Sequence, residues 1–405
     1  MAPRKSVNVK YHKVFLQSFV VTLILWLVPV LQGRYVPLQY SYIPVKDIGE
    51  EMLSIREVDV IHQSAPIRQF NVHNENSKSQ EIRDKVDSKQ NQGSKTIGIA
   101  GKSKQLRKKF KGKNAKRRDK ARAGLLPCPE VSPFLKGLEL EPQQGDGGVS
   151  EEPWSLKMME EFAERHGIQP GGFWQPPHCL PQHAVTVIVG QRNRTEQLQH
   201  FLLHMHPFLA RQQLQYRIIV VDQDNNEPYN RGKILNIGYM ESLQVSPPGP
   251  EQQCVVLHDV DLLPLNDLNL YACTNMPRHM TVAVDTFRFQ LPYSEIAGGA
   301  VALLAAQFEA INGFSNRYSG WGGEDDDFNN RINNQGLHMV RLDPRVSQYA
   351  MLRHKPAVES PTRYQFLDAG STNEDADDDG LTSLRYTLSA PPDRHPLMMH
   401  YTVHW

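Results

Sequence analysis

Residues 184–190, AVTVIVG, are the stretch on which the fold of this 405-residue chain depends. The run is short, apolar and rich in β-branched residues, which is typical of a buried parallel strand. Two similar runs follow, YRIIVVD at 216–222 and CVVLH at 254–258. Helical patterns separate them, one from residue 195 to about 209 and one from about 232 to 243. Strands that alternate with helices predict an α/β sheet with right-handed crossovers.

A charged motif follows each of these three strands. QRNR (191–194) follows the first, DQD (222–224) the second and DVD (259–261) the third. Ligands of open α/β sheets bind beyond the carboxyl ends of the strands. Arg192 and Arg194 suit phosphate oxygens, and an Asp-x-Asp pair can hold a divalent cation that neutralises a diphosphate. The layout predicts a metal-dependent nucleotide-diphosphate site, although Asp-x-Asp pairs are also common on ordinary loops.

A second acidic segment, WGGEDDD, occupies residues 321–327 and precedes a helical pattern at 328–335. Its glycines permit a loop that moves, and a tryptophan beside carboxylates is a common platform for sugars. One carboxylate can serve as a general base on a sugar hydroxyl. The alternative is a solvated acidic surface without chemistry. His354, in MLRH (351–354), is a candidate metal ligand or a structural histidine.

The chain carries 45 Lys and Arg against 44 Asp and Glu, but the basic residues crowd into the first third and the acidic clusters into the last. There are four cysteines, at 128, 179, 254 and 273. Four cysteines allow three disulfide connectivities. Two disulfides are expected in an oxidising compartment and free thiols in the cytosol, so topology decides between them.

The N-terminus predicts that topology. Residues 14–31 are almost entirely apolar, and Arg4, Lys5, Lys10 and Lys13 precede them. Positive flanks stay cytoplasmic. We therefore expect a single-pass type II chain with a cytoplasmic tail at 1–13, a signal anchor at 14–32 and a lumenal remainder. A cleaved signal peptide is the alternative, which the length of the stretch and the lack of a small-x-small site disfavour.

Residues 33–124 are predicted to be a largely disordered lumenal stem, because they are polar and poor in aromatics. Residues 102–122 are densely basic, which indicates either a polyanion-binding patch or, as we favour, a solvated linker. No nucleic-acid partner is expected, since no binding fold accompanies the patch and the lumen holds none. We expect the remaining residues, 125–405, to form the catalytic domain.

Taken together, the motifs resemble the β-1,4-galactosyltransferase family (glycosyltransferase family 7), which includes N-acetylgalactosaminyltransferases. In chain order they are RNR (192–194), YNRGK (229–233), HDVDLLP (258–264), PRH (277–279), LPY then GG (291–299), NGF (312–314), WGGEDDD (321–327), MLRH (351–354) and DGL (379–381). The resemblance implies a GT-A (Rossmann-like) α/β fold, inversion at the anomeric carbon, Mn²⁺ as cofactor and a Golgi membrane location.

The resemblance also implies roles for individual residues. The manganese ligands are Asp261, Met351 and His354. The residues expected to bind the donor nucleotide are Arg192, Arg194, Tyr229, Arg231, Val260 and Asp261. Asp325 is the expected catalytic base, with Glu324 beside it. The residues expected on the sugar and acceptor side are Tyr293, Trp321, Gly323, Asp326, Arg363 and Tyr364. The implied disulfides are Cys128–Cys179 and Cys254–Cys273.

Three positions depart from the family pattern: Gln191 replaces a usual Phe, Thr286 a frequent Lys, and Ile296 the Tyr of vertebrate galactosyltransferases. That Tyr lies against the C2 substituent of the donor, so the smaller Ile is expected to admit an N-acetyl group. Core packing is the other explanation for Ile296.

The expected reaction is transfer of GalNAc from UDP-GalNAc to the 4-hydroxyl of a terminal β-GlcNAc on a glycoprotein or glycolipid glycan. The alternatives are UDP-galactose as donor on the same acceptors, or a catalytically silent sugar-binding scaffold. A homo-oligomer formed through the membrane and stem region is a further possible assembly.

Overall fold

The computed structural model describes residues 42–43, 124–139, 154–245, 254–355, 357–369 and 378–405. The expected cytoplasmic tail and signal anchor lie outside these residues, as does the basic stretch 102–122. Among the helices that the structure describes, none is both long and apolar enough to cross a membrane.

The described chain contains six α-helices and fourteen strands, which we number in chain order. The helices are α1 Leu156–His166, α2 Thr195–Arg211, α3 Arg231–Val245, α4 Ala305–Ala310, α5 Glu324–Asn334 and α6 Arg363–Ala369. The strands are β1 Tyr42–Ile43, β2 Phe173–Trp174, β3 Ala184–Gln191, β4 Gln215–Gln223, β5 Cys254–Asp259, β6 Leu262–Pro264, β7 Arg278–His279, β8 Ala283–Val284, β9 Ala300–Leu304, β10 Arg341–Leu342, β11 Gln348–Met351, β12 Thr387–Leu388, β13 Asp393–Arg394 and β14 Met399–His404.

The main sheet confirms the predicted α/β class. Its strand order is β12-β14-β4-β3-β5-β9-β7, with β13 paired to β14 and β2 to β4. Strands β14, β4, β3 and β5 are parallel, whereas β9 and β7 complete a mixed sheet through antiparallel pairs. The three predicted strands are neighbours, and Gly190 of β3 lies opposite both Val221 and Asp259. The motifs that follow these strands therefore emerge at one edge.

Helices cover both faces of this sheet, which explains why β3 is apolar at successive positions. Val187 and Val189 pack on one face with α2, whereas Ile188 packs on the other face with Leu235 of α3. All four side chains are at most 1% exposed. The core thus fixes the positions of the strand ends that carry the charged motifs.

A small second sheet, in the order β6-β11-β8, lies beside the carboxyl end of β5. Met351, the last residue of β11, pairs with Leu262 at the start of β6. Strand β11 also runs parallel to β8, which leads into a 3₁₀ turn at Asp285–Phe287. This sheet brings a distant part of the chain next to the DVD motif.

Both implied disulfides are present, Cys128–Cys179 and Cys254–Cys273. The second one links the first residue of β5 to the loop before β7. It therefore ties the strand that ends in DVD to the segment that returns to the sheet edge.

Close packing of α3 on the sheet makes a testable prediction at Gly238. A Cβ there would overlap Ile188 Cγ2 and lie 3.2 Å from Val221 Cγ2. Replacing Gly238 by Ala should therefore destabilise the protein by about 1–3 kcal/mol, because overpacking outweighs the gain in helix propensity. Thermal unfolding measures the effect.

Gln244→Ala is the matched control, because Gln244 is an exposed residue of the same helix. A Gly238→Ala protein at least as stable as this control would contradict the packing argument.

Candidate active site

The DVD motif and the MLRH motif meet at the edge of the small sheet. Leu352 N donates to Asp261 O over 2.7 Å, so the backbone beside Met351 is joined to the acidic loop. His354 Nδ1 lies 2.9 Å from Asp261 Oδ2. Thr286 Oγ1 lies 3.6 Å from Met351 Sδ. The structure therefore brings together the three residues that the resemblance implied as metal ligands.

The chemistry of this set fits a divalent transition metal that also binds its substrate. Asp261 offers a carboxylate oxygen, His354 an imidazole nitrogen and Met351 a thioether sulfur. Among the described residues, no group of three or more His, Cys, Asp or Glu could hold a metal alone. Three protein donors leave coordination positions open, which water or diphosphate oxygens would suit.

Of the two arginines of RNR, Arg194 lies beside this loop and Arg192 lies beside residues 225–229. Arg194 Nη1 is 3.5 Å from Asp261 Oδ2, and Arg194 Nη2 donates to Lys355 O. Arg192 Nη1 donates to Glu227 O over 2.5 Å, and its guanidinium lies 5.6 Å from the centroid of the Tyr229 ring. Arg192, Arg194 and Tyr229 therefore lie along the edge above β3 and β4.

Val260 differs from the other expected nucleotide-binding residues, because its side chain is buried in the main core with 6% exposure. Only its backbone can contact a ligand.

The sequence alone indicated no partner for Asp222. Its carboxylate accepts a hydrogen bond from Gln191 Nε2, and Gln191 Oε1 accepts one from Arg194 N. Burial, followed by the charge of Asp224, raises the pKa of Asp222 to about 6.

Arg231, at the start of α3, connects the two acidic segments. Its Nε donates to Asp259 Oδ1 over 2.6 Å, so the first aspartate of DVD, to which the resemblance gave no role, pairs with an arginine. Burial alone would lower the pKa of Arg231, but the surrounding carboxylates, that of Asp259 first, raise it. Arg231 Nη1 is buried without a hydrogen-bond partner, and so is Glu324 Oε2. Unpaired buried groups are rare, so this donor and this acceptor fit a polar ligand.

The four consecutive carboxylates of WGGEDDD project in different directions, because helix α5 begins at Glu324 and not, as predicted, after them. Glu324 and Asp325 face the Arg231 charge. Asp326 Oδ1 accepts a hydrogen bond from Tyr293 Oη over 3.1 Å. The helical rotation of about 100° per residue thus separates charges that an extended chain would crowd. All four also lie at the helix N-terminus, where negative charge is favourable.

Asp327, the last of the four carboxylates, forms a buried ion pair: its Oδ2 accepts a hydrogen bond from Arg331 Nε over 2.7 Å. Arg331 Nη1 also donates to the carbonyl of Asp379, in the DGL motif. The Asp379 carboxylate accepts in turn from Arg317 Nε and from Asn316 N. This network ties the first turns of α5 to the loop that precedes Trp321.

Glu324 and Asp325 have perturbed acidities. Burial, followed by the charge of Asp325, raises the pKa of Glu324 to about 7, although the charge of Arg231 opposes this rise. Burial, with the Asp326 charge, also raises the pKa of Asp325. A carboxylate with a raised pKa is a stronger base once it is ionised.

The loop carrying Trp321 packs against the segment that begins α6. Trp321 N donates to Val358 O, and Trp321 O accepts from Ser360 N. The indole is 55% exposed, with the Arg363 guanidinium 5.3 Å from its ring centroid. The same guanidinium lies 4.8 Å from the ring of Tyr364. The expected sugar-side residues Trp321, Arg363 and Tyr364 therefore lie together, with both aromatic rings exposed and the guanidinium partly buried between them.

Gly323 joins this surface to α5. Its φ is 91°, in the left-handed region that favours glycine. A Cβ there would lie 2.9 Å from Tyr318 Cε1 and 3.2 Å from Arg363 Cβ. Gly323 thus acts by permitting close approach, and it has no side chain with which to bind a sugar.

Ile296 lies in the irregular segment between Tyr293 and the paired glycines. Its side chain is only partly buried, and it belongs to none of the hydrophobic clusters of the described residues. Core packing, the other explanation for this residue, therefore finds no support. Two residues further on, a Cβ at Gly298 would lie 3.0 Å from Asp325 Oδ2. The segment therefore forms a wall beside the Asp325 carboxylate.

Sequence comparisons identify relatives of this chain. Residues 128–274 match the model of the N-terminal region of glycosyl transferase group 7, and residues 278–355 match that of the N-terminal domain of galactosyltransferase. Beta-1,4-galactosyltransferase 2 of Cricetulus griseus is 39% identical over 278 residues, which are 68% of this chain and 72% of that protein. Beta-1,4-galactosyltransferase 1 of Bos taurus is 39% identical over 280 residues, 69% of this chain and 66% of that protein.

Among solved structures, a mutant of Drosophila β-1,4-galactosyltransferase 7 in complex with manganese, UDP-Gal and xylobiose aligns with a TM-score of 0.46 and 25% identity, covering 55% of this chain and 93% of that one. The fold, the site and the sequence matches define a glycosyltransferase, an enzyme that transfers a hexose. The chain belongs to the glycosyltransferase group 7 family, that of the β-1,4-galactosyltransferases.

The raised pKa of Glu324 predicts a pH-dependent stability. The folded-state pKa of about 7 exceeds the ordinary value of 4.5, so the proton on Glu324 stabilises the folded state fully below pH 4.5. That contribution is lost as the pH rises through about 7. Glu324→Gln stays neutral, so its Tm should rise relative to wild type between pH 5 and pH 8 by a few degrees.

Glu160→Gln, at an exposed position of α1, is the control for a charge removed elsewhere. A difference in Tm between Glu324→Gln and wild type that does not change with pH would contradict the argument.

Proposed function

We propose that this enzyme transfers GalNAc from UDP-GalNAc to the 4-hydroxyl of a terminal β-GlcNAc on glycoprotein or glycolipid glycans, with inversion and with Mn²⁺. The observation that carries the choice of donor is the place of Ile296, outside the core and on the segment whose Gly298 adjoins Asp325. A residue in that position can contact the donor sugar near the reacting carbon.

The size of Ile296 supports the N-acetyl donor. A tyrosine there, as in vertebrate galactosyltransferases of the family, would extend a ring and a hydroxyl toward the C2 substituent. An isoleucine leaves that volume free. The shape of a pocket at a single group typically controls about 1–3 kcal/mol of discrimination, which is enough to change the preferred donor.

In the proposed reaction, Asp325 removes the proton from the acceptor 4-hydroxyl. That oxygen attacks the anomeric carbon on the face opposite the diphosphate, and UDP leaves with the bonding electrons. The raised pKa of Asp325 suits this role, because a stronger base takes the proton more readily. Glu324 Oε2, buried and without a partner, is placed to accept from a sugar hydroxyl.

The nucleotide end is held by positive charge and an aromatic ring. Arg192 and Arg194 bind phosphate oxygens, the free Nη1 of Arg231 donates to the donor, and Tyr229 packs on the uracil. Asp261, Met351 and His354 would hold Mn²⁺, which when bound offsets the negative charge of the departing diphosphate. Closure of the Trp321 loop over the donor would exclude water and suppress hydrolysis.

The second candidate function is transfer of galactose from UDP-galactose to the same acceptors. The relatives favour it, because those at 39% identity are named beta-1,4-galactosyltransferases. The two candidates share every residue of the proposed mechanism and differ only in what lies against C2 of the donor.

We also propose a single-pass type II location in the Golgi membrane, with the catalytic domain in the lumen. The apolar residues 14–31 and their basic flank are the basis for the anchor. Two disulfides among the described residues support an oxidising compartment. Any self-association is proposed to involve the membrane and stem region.

Asp325→Asn tests the base. The amide cannot take the proton, so kcat should fall by about 10²–10⁴-fold, while UDP binding measured by calorimetry with Mn²⁺ present should remain nearly unchanged.

Asp393→Asn is the matched control. Asp393 is an exposed residue of β13, which pairs with β14, and strands β4 and β3 separate β14 from β5 and its acidic loop. Wild-type turnover by Asp325→Asn would remove Asp325 as the base.

Ile296→Tyr tests the donor. The added ring should crowd an N-acetyl group, so the ratio of kcat/KM for UDP-galactose to that for UDP-GalNAc should rise by about tenfold or more. Both donors are assayed on one GlcNAc-terminated acceptor.

Ile296→Leu keeps the side-chain volume and should keep the wild-type ratio. If the tyrosine and leucine variants show the same ratio, Ile296 does not determine the donor.

A further inference from the structure

Two buried side chains hold the 294–298 segment through hydrogen bonds of 2.9 Å or less, and Thr281 Oγ1 adds a longer one of 3.4 Å to Gly298 O. Arg341 Nη2 donates to Ser294 O over 2.8 Å and to Ile296 O over 2.9 Å. His279 Nε2 lies 2.9 Å from Gly298 O. Arg341 Nε donates to His279 Nδ1 over 3.0 Å, so the two side chains form one hydrogen-bonded unit, which we call the Arg341–His279 clamp.

The chemistry of the pair fixes its protonation. A guanidinium has only donors, so His279 Nδ1 must be the acceptor and Nε2 must carry the proton that it donates to Gly298 O. Burial, with the charge of Arg341 next, lowers the pKa of His279 to about 3. The imidazole is therefore neutral at physiological pH, and the direction of every hydrogen bond in the clamp is set.

The clamp is buried, whereas parts of the segment that it holds are exposed. His279 is 1% exposed and Arg341 6%, whereas Ile296 is only partly buried and Glu295 is exposed. A Cβ at Gly298 would meet Asp325 Oδ2, so the other side of Gly298 faces the proposed base. The carbonyls at 294, 296 and 298 are held from within and Ala297 packs in the core, while the side chain of Ile296 remains partly exposed.

We propose that Arg341 and His279 are positioning residues that set donor selectivity by fixing where Ile296 and Gly298 stand against the C2 substituent of the donor sugar. The inference rests on the proposed function, since it assumes that Ile296 lines the donor pocket. It also gives a role to the PRH motif, which the proposed mechanism leaves without one.

The physical reason is that the segment lies in no helix or strand. Apart from the buried Ala297 and a longer contact of Thr281 with Gly298 O, its place then depends on the two side chains that hold its carbonyls. A pocket discriminates a substituent only while its wall stays within a fraction of an ångström, because dispersion and overlap change steeply with distance. Loosening the clamp should let the segment shift and reduce the difference between donors, while the distant diphosphate contacts of Arg192 and Arg194 stay in place.

Arg341→Lys is the principal variant. The charge is retained, but one ammonium cannot replace both Nε toward His279 and Nη2 toward two carbonyls. We expect the ratio of kcat/KM for UDP-GalNAc to that for UDP-galactose to move toward one by about tenfold, with the Kd for UDP and Mn²⁺ unchanged.

Variants of His279 divide the clamp into its two bonds. Asn at this position can accept from Arg341 with its Oδ1 but cannot reach Gly298, whereas Gln can donate to Gly298 O from its Nε2. His279→Asn should therefore lose donor discrimination, and His279→Gln should restore most of it. These variants keep the proposal testable if Arg341→Lys does not fold.

Arg278→Lys is the matched control for burying a lysine. Arg278 precedes His279 on β7, is 1% exposed and donates to Leu270 O, away from the 294–298 segment. It should lose thermal stability as the clamp variants do, yet keep the wild-type donor ratio. A purely structural role of the clamp would make Arg341→Lys behave like this control.

The outcomes separate the two proposals. A folded Arg341→Lys or His279→Asn with the wild-type donor ratio, while Ile296→Tyr changes that ratio, overturns the clamp alone. An Ile296→Tyr variant without effect, or a wild-type chain that transfers neither sugar, contradicts the proposed function and the role of the clamp with it. A changed ratio in the clamp variants, with an unchanged ratio in Arg278→Lys, supports the inference.

Discussion

The guanidinium of Arg231 is the charge on which the arrangement of this site depends. It stands at the start of α3 with Asp259 2.6 Å away, and the carboxylates of Glu324 and Asp325 act on it from α5. Without a buried cation, three carboxylates could not share this volume, since burying an unpaired charge is costly. Arg231 thus lets the acidic loop after β5 and the acidic start of α5 approach one another.

The sheet determines why these groups can meet at all. Parallel strands β4, β3 and β5 end at one edge, and two helices, α3 and α5, begin beside it. Helix N-termini favour anions, and strand ends place loops over them. An edge of this kind collects phosphate-binding arginines and acidic loops from residues that are far apart in sequence. The same geometry leaves buried polar atoms, such as Arg231 Nη1, for a ligand to satisfy.

Local pattern was sufficient to predict β3, β4 and β5 to within a few residues, because a buried parallel strand is a continuous apolar run. It also predicted α2 and α3, whose observed bounds exceed the predicted ones by at most a few residues. The short strands β6, β8 and β11 escaped prediction, because two to four residues carry no usable period. Pairing across the chain creates them, and they bring Met351 to Asp261. The predicted start of α5 was wrong, because four adjacent carboxylates are typical of a loop. In the folded chain, Arg231 and Arg331 lie close enough to offset their charge.

The candidate site shows the same division between local and distant information. Motifs identified Asp261, His354, Asp325 and Trp321, but no pattern near Asp259 could reveal its bond to Arg231. His279 and Arg341 are 62 residues apart in sequence, and only folding brings them into contact. The residues that we propose for phosphate binding and for base catalysis therefore stand at the ends of regular elements, where the fold tolerates little change. The segment that we propose as the wall against the donor sugar is irregular and is held through its carbonyls by Arg341 and His279. Under that proposal, one side chain there can change the donor while Arg231, Asp325 and the acidic loop remain as they are.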